Sequence, residues 1–150
     1  MTLENVITDL AQLEALYGPA APRSITKEIS HINHEYRAFI EAAPFMAVAT
    51  VGIQGLDCSP RGEDGSVVQI VDEKTIRFAD RRGNNRLDTL RYIVGDNRIA
   101  LLFLVPGIGE TMRINGRASI SVSVDLLEMF AVEGDYVVAV SYTHLTLPTK

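Results

Sequence analysis

Cysteine is nearly absent from this 150-residue chain: Cys58 stands alone. A single cysteine closes no intrachain disulfide and builds no cysteine-based zinc site. No apolar run approaches the roughly 18 residues of a membrane-spanning helix, and the chain does not open on a basic stretch followed by an apolar one. The expected location is cytoplasmic. Positive charge is also in short supply. The formal net charge of −5 argues against a general binder of nucleic acid or membrane surfaces. A Walker loop, a nucleophile elbow and a paired-carboxylate signature are all missing. Hydrophobic residues at 47% and charged residues at 22% suit one globular domain with a real core.

What the chain does hold is a concentration of arginine. Residues 77–91 carry Arg77, Arg81, Arg82, Arg86 and Arg91, after a strand-like run and ahead of a helix-like one. Asp80 and Gly83-Asn84 are turn formers that also suit a helix start. Arginines that converge on backbone N–H groups at a helix N-terminus are what a phosphate needs, because guanidinium gives bidentate hydrogen bonds and the helix end adds partial positive charge. A solvated charged turn is the plain alternative.

The hydrophobic period is helical over 3–17 and over 24–42, where Ser24 serves as cap, and it becomes extended after Pro44. Strands are expected at 46–51 and 56–59 around a turn at 52–55, and at 67–71 and 75–79. Further strands are expected at 99–105, at 111–124 with a bulge or bend at Asn115-Gly116, and at 136–140. The continuous apolar run 99–105 reads as a strand buried on both faces. A helix is expected over 84–94, and Asp125 is expected to cap a short one through Phe130. The fold class is therefore mainly β: an antiparallel barrel of about six strands with flanking helices. It forms one domain over 1–140, with N-terminal helices at 1–43 and the barrel at 44–140. Residues 141–150 follow no capping or core pattern and read as a non-native tail, so the natural chain is expected to continue past Val140.

Ser59-Pro60-Arg61-Gly62 ends one strand and the arginine cluster ends another. If those strands are neighbours, Ser59, Arg61, Asn85 and Arg86 converge on one rim. Each charge-assisted hydrogen bond there is worth roughly 1.5–3 kcal/mol, so three or four would hold a mononucleotide. A salt bridge from Arg61 to Asp57 or Glu63 is the alternative. Arg113, Asn115 and Arg117 share one strand face. His31 and His34 sit three apart on the second helix, a spacing more typical of a solvated face than of a metal site. Cys58 reads as a small core residue. Binding groups for a phosphate, without an acid, base or nucleophile beside them, point to a cofactor that supplies the reactivity.

Four segments together resemble the pyridoxamine 5′-phosphate oxidase-like flavoproteins. They are Pro44 to Thr50, Asp57-Cys-Ser-Pro-Arg-Gly-Glu63, Phe78-Ala-Asp-Arg-Arg-Gly-Asn-Asn-Arg-Leu-Asp-Thr-Leu90 and Glu110-Thr-Met-Arg-Ile-Asn-Gly-Arg117. The nearest likeness is to a bacterial branch with SPRG and DRxGNxRxD motifs. The resemblance implies a homodimeric split β-barrel with FMN at the subunit interface. The family's phosphate-binding Arg-Lys pair falls on Asn85 and Arg86, so Arg61, Arg81 or Arg82 would supply the second charge. Thr111 stands where the oxidases have a flavin-contacting glutamine, and Arg113 keeps the strand arginine. The implied cofactor site is thus Ser59, Arg61, Arg81, Arg82, Asn85, Arg86, Thr111 and Arg113, with no metal and no assigned catalytic residue. The oxidases' C-terminal substrate-binding segment has no counterpart in this chain. The leading reading is an FMN-binding oxidoreductase of unknown substrate, a homodimer that binds neither nucleic acid nor membrane. The alternatives are a non-catalytic flavin, deazaflavin or haem binder of the same fold, and a dimeric interaction module whose arginines form only salt bridges.

Overall fold

The computed structural model describes residues 6–22, 28–132 and 137–145. Among these residues four helices and seven strands follow in the order α1 (Leu10–Tyr17), α2 (His34–Ala42), β1 (Phe45–Gly52), β2 (Gly55–Gly62), β3 (Gln69–Ile70), β4 (Thr75–Arg81), α3 (Asp88–Gly95), β5 (Arg98–Leu104), β6 (Thr111–Ser121), α4 (Val124–Met129) and β7 (Val137–Leu145). The strands form one sheet in the order β2-β1-β5-β6-β7-β4-β3, and the pairs are antiparallel. The architecture is a mainly β split barrel. Among the described residues no helix is long and apolar enough to cross a membrane.

Strand alternation places Met46, Val48, Ile99, Leu101, Phe103, Met112 and Ile114 in a single core. Ile76 and Phe78 of β4 and Ile40 and Ile93 of the helices complete it. Thr50 occupies an inward position of β1, and its hydroxyl is buried without a hydrogen-bond partner, as is that of Thr143. A buried orphan hydroxyl costs more than it returns. Thr50→Val is therefore expected to stabilise the protein by about 1 kcal/mol, read as a higher denaturant midpoint at an unchanged slope.

The helices are shorter than the periodicity suggests. Over the described part of 3–17, helix begins only at Leu10, where the Asp9 side chain accepts from the Gln12 amide at 2.9 Å. The second helix starts at His34, capped by Asn33 through the Tyr36 amide at 2.8 Å. The expected cap Ser24 lies outside the described residues. The Ile32 amide is drawn to the Glu73 carbonyl at 2.6 Å, so a tertiary bond takes the donor that helix extension needs. His31 consequently precedes the helix, and His31 and His34 are both exposed. At the other end Ala43, which precedes Pro44, is extended (φ −87, ψ 109), as steric contact with the proline ring requires.

α3 begins at Asp88 rather than near residue 84. Asn84 binds the Arg86 amide with its own side chain at 3.0 Å, and Asn85 adopts a left-handed φ of 58°. Both arrangements oppose helical continuation. The 67–71 strand shrinks to Gln69–Ile70, because Val67 gives its amide to the Ala43 carbonyl. The short helix after β6 starts at Val124 behind Ser123, so Asp125 lies in its first turn and not at its cap. β6 ends at Ser121 and runs through Asn115-Gly116 in register with β5, without a bulge. β7 continues through 141–145, with Ser141, Thr143 and Leu145 buried. Tyr136 and residues 146–150 lie outside the described residues.

β5 is buried on one face only: Ile99, Leu101 and Phe103 point inward, while Ala100, Leu102 and Leu104 are half-buried on the outside. Cys58 is exposed instead of sitting in the core. It pairs across the ladder with Ala49, and that register places both on the outer face.

Candidate functional site

β2 and β4 are not neighbours in the sheet. They lie near its two edges, and no ladder joins them. Curling of the sheet brings them together, and two ion pairs span the seam. Arg61 reaches Asp80 at 2.8 Å, and Arg81 forms a fork on Glu63 at 2.8 and 3.0 Å. Arg81 also donates to the Phe130 carbonyl at 3.1 Å. The partner of Arg61 is thus Asp80, neither Asp57 nor Glu63. Asp80 is 6% exposed, and its second oxygen accepts from the Ser141 hydroxyl at 2.8 Å.

Along this seam runs a cleft with two adjoining lobes of about 350 and 550 Å³. Both are lined by Pro60, Arg61, Gly83, Asn84, Arg86 and Thr89. The first adds Glu63, Asp80, Arg81, Arg82 and Asn85, and the second adds Asp57, Ser59 and Asp88. Six of the eight residues expected at a cofactor site therefore meet here: Ser59, Arg61, Arg81, Arg82, Asn85 and Arg86. Thr111 and Arg113 do not line this cleft. They are exposed on β6, opposite Leu104 and Leu102 of β5.

The four cleft arginines face four carboxylates, Asp57, Glu63, Asp80 and Asp88, so the formal charge cancels. Concentrated arginine has not made a strongly positive pocket. Arg86 is bound to Asp88 at 3.0 Å with 78% of its side chain exposed, a pairing that water screens heavily. Among the described residues the Arg82 side chain has no hydrogen-bond or ion-pair partner. The α3 N-terminus opens on the same place. Leu87 at its N-cap position offers no side-chain bond, so the first-turn amides lack the usual cap.

Sequence reasoning missed Asp80 and Thr89 as members of the site. Thr89 is buried in the first turn of α3, where its hydroxyl donates to Asp57 at 2.6 Å and meets Ser59 at 2.9 Å. An interior threonine beside Asp88 in the DRxGNxRxD segment was the available signal. Among the described residues no group of three histidine, cysteine, aspartate or glutamate side chains could hold a metal ion.

Residues 32–144 match the family model described as pyridoxamine 5′-phosphate oxidase. A putative pyridoxamine 5′-phosphate oxidase from Lactobacillus delbrueckii superposes with a TM-score of 0.63 at 13% identity, over 81% of this chain and 95% of that one. HupZ from Group A Streptococcus gives 0.58 at 19% identity, over 77% and 90%. A Clostridium acetobutylicum protein related to general stress protein 26 of B. subtilis, of the pyridoxinephosphate oxidase family, gives 0.54 at 17%, over 73% and 81%. At such identities the superpositions speak for the fold. No functionally curated protein matches the chain in sequence.

Proposed function

The chain belongs to the pyridoxamine 5′-phosphate oxidase family, and from that premise we propose that it is an FMN-binding, oxidoreductase-type protein acting as a homodimer. The carrying observation is the seam cleft, where an uncommitted Arg82, a solvent-screened Arg86 and an uncapped helix start converge. That donor set fits a phosphate dianion. Arg82, Arg86 and the uncapped first-turn amides of α3 would hold the phosphate. The spare acceptor capacity of Asp57 and Asp88 suits hydroxyl donors of a polyol chain. A bound flavin supplies hydride or electron transfer, and the barrel supplies orientation and hydrogen bonds. Flavin titration tests this. FMN is expected to bind the purified protein and riboflavin, without the phosphate, to bind at least about 30-fold more weakly.

The dimer would cover the outer face of β1 and β5, where Phe45, Leu102 and Leu104 leave apolar surface open. Thr111 and Arg113 lie on that same outer side of β6, so any part they take in flavin binding belongs to the dimer. Leu102→Asp, which puts a charge on this face and leaves the core untouched, is expected to give a folded monomer in sedimentation. An unchanged dimer would remove this face from the interface.

The cancelling charges favour a second reading, a salt-bridged interaction module without cofactor. A colourless preparation that binds neither flavin would establish that reading over the first.

A further inference from the structure

The polar side chains along the seam form one directional chain. Arg61 donates to Asp80 through Nε at 3.3 Å and Nη2 at 2.8 Å, and through Nη1 to the Ser59 hydroxyl at 3.0 Å and the Pro60 carbonyl at 2.8 Å. Thr89 has one hydroxyl proton, and it goes to Asp57 at 2.6 Å. The Ser59–Thr89 contact at 2.9 Å therefore has Ser59 as donor. The order is fixed: Arg61 gives to Ser59, Ser59 to Thr89 and Thr89 to Asp57, while Asp80 anchors the Arg61 end and Ser141 anchors Asp80. The chain crosses from β4 through β2 to the first turn of α3, where a capping side chain is lacking.

We propose that Asp80 is a positioning residue for the anion-facing end of α3, acting through Arg61, Ser59 and Thr89, with Arg61 the strut in that chain and not a ligand for the phosphate. The proposal rests on the cleft reading above. A guanidinium has five N–H donors, and protein groups already take four of those on Arg61. A bidentate grip on phosphate needs two parallel N–H groups, so Arg61 could provide it only by giving up a bond to Asp80, Ser59 or the Pro60 carbonyl. Departure from Asp80 would strand a buried carboxylate. Arg82 carries no such obligation.

The test uses Asp80→Asn, Thr89→Val and their combination, first without ligand. Both single changes sever the same chain. The double variant should therefore be more stable than the two separate losses predict, by about fivefold or more in the unfolding constant. Additive losses would overturn the proposal, and this arm holds whether or not flavin binds. With flavin, Asp80→Asn should weaken FMN about tenfold and riboflavin less than threefold, since it disturbs the phosphate end alone. A merely structural Asp80 would lower stability and leave the FMN-to-riboflavin affinity ratio at the parental value, which also overturns the proposal. Adding Arg61→Met to Asp80→Asn should cost no further FMN affinity. A further tenfold loss would make Arg61 a ligand. If Asp80→Asn does not fold, Ser141→Ala, which removes only the second anchor of Asp80, takes its place in every arm. A parent protein that shows no preference for FMN over riboflavin defeats the phosphate reading, while the ligand-free cycle still decides the positioning role.

Discussion

Gly116→Ala is expected to lower the unfolding midpoint by about 6–12 °C, and Gly116→Val to prevent folding. A Cβ built at Gly116 would lie 2.5 Å from the His144 carbonyl oxygen and 2.8 Å from the Thr143 methyl. The first of these is backbone of the paired strand β7, so relief requires β6 and β7 to separate along their ladder. Overpacking of this kind costs about 1–3 kcal/mol, and a backbone obstacle puts the cost at the upper end. At about 2–4 °C per kcal/mol for a chain of this size, the stated shift follows. Alanine also restricts the unfolded chain, which favours folding by about 0.4–1 kcal/mol, too little to reverse the sign. Circular-dichroism melting decides the matter. A midpoint within a degree or two of the parent would show that β7 does not approach β6 as described.

Loss of both Arg82 and Arg86 is expected to weaken FMN binding by roughly 10³- to 10⁴-fold. Each change forfeits a charge-assisted pair of hydrogen bonds worth about 2–3 kcal/mol, or about 30- to 150-fold in affinity. Arg82→Ala should leave stability nearly unchanged, since no protein group depends on it among the described residues. Arg86→Ala frees only the surface carboxylate of Asp88. Riboflavin affinity should barely respond to either. Arg37→Ala, which removes a surface pair with Glu41 on α2, serves as the control. Parental FMN affinity in the double variant would move the phosphate elsewhere.

The sequence alone was informative wherever structure is decided locally. The change of period at Pro44, the β1–β2 hairpin and the β5 and β6 strands follow from alternation and turn chemistry. Residues within the SPRG segment, and within the DRxGNxRxD segment, are close in sequence and stay close in space, and both segments line the seam cleft. Six residues expected at a cofactor site line that cleft, but the two segments meet only through closure of the sheet. Helix starts were less legible, since an amide's partner decides them: Ile32 bonds to Glu73, which is distant in sequence, and Asn84 turns on Arg86.

What the arginines do was decided by the tertiary structure. Composition shows a cluster of positive charge, yet pairing depends on which carboxylates the closing sheet brings across the seam. β2 and β4 lie apart in the sheet, so no local pattern pairs Arg61 with Asp80 or Arg81 with Glu63. Curvature of the whole barrel makes those contacts and, among the described residues, leaves Arg82 without a partner. In the same way, an apolar run such as Ile99 to Val105 tells that a strand is buried but not by what. Its inner face meets the core of its own chain, and its outer face is left open, because burial is a property of the assembled surface rather than of the strand.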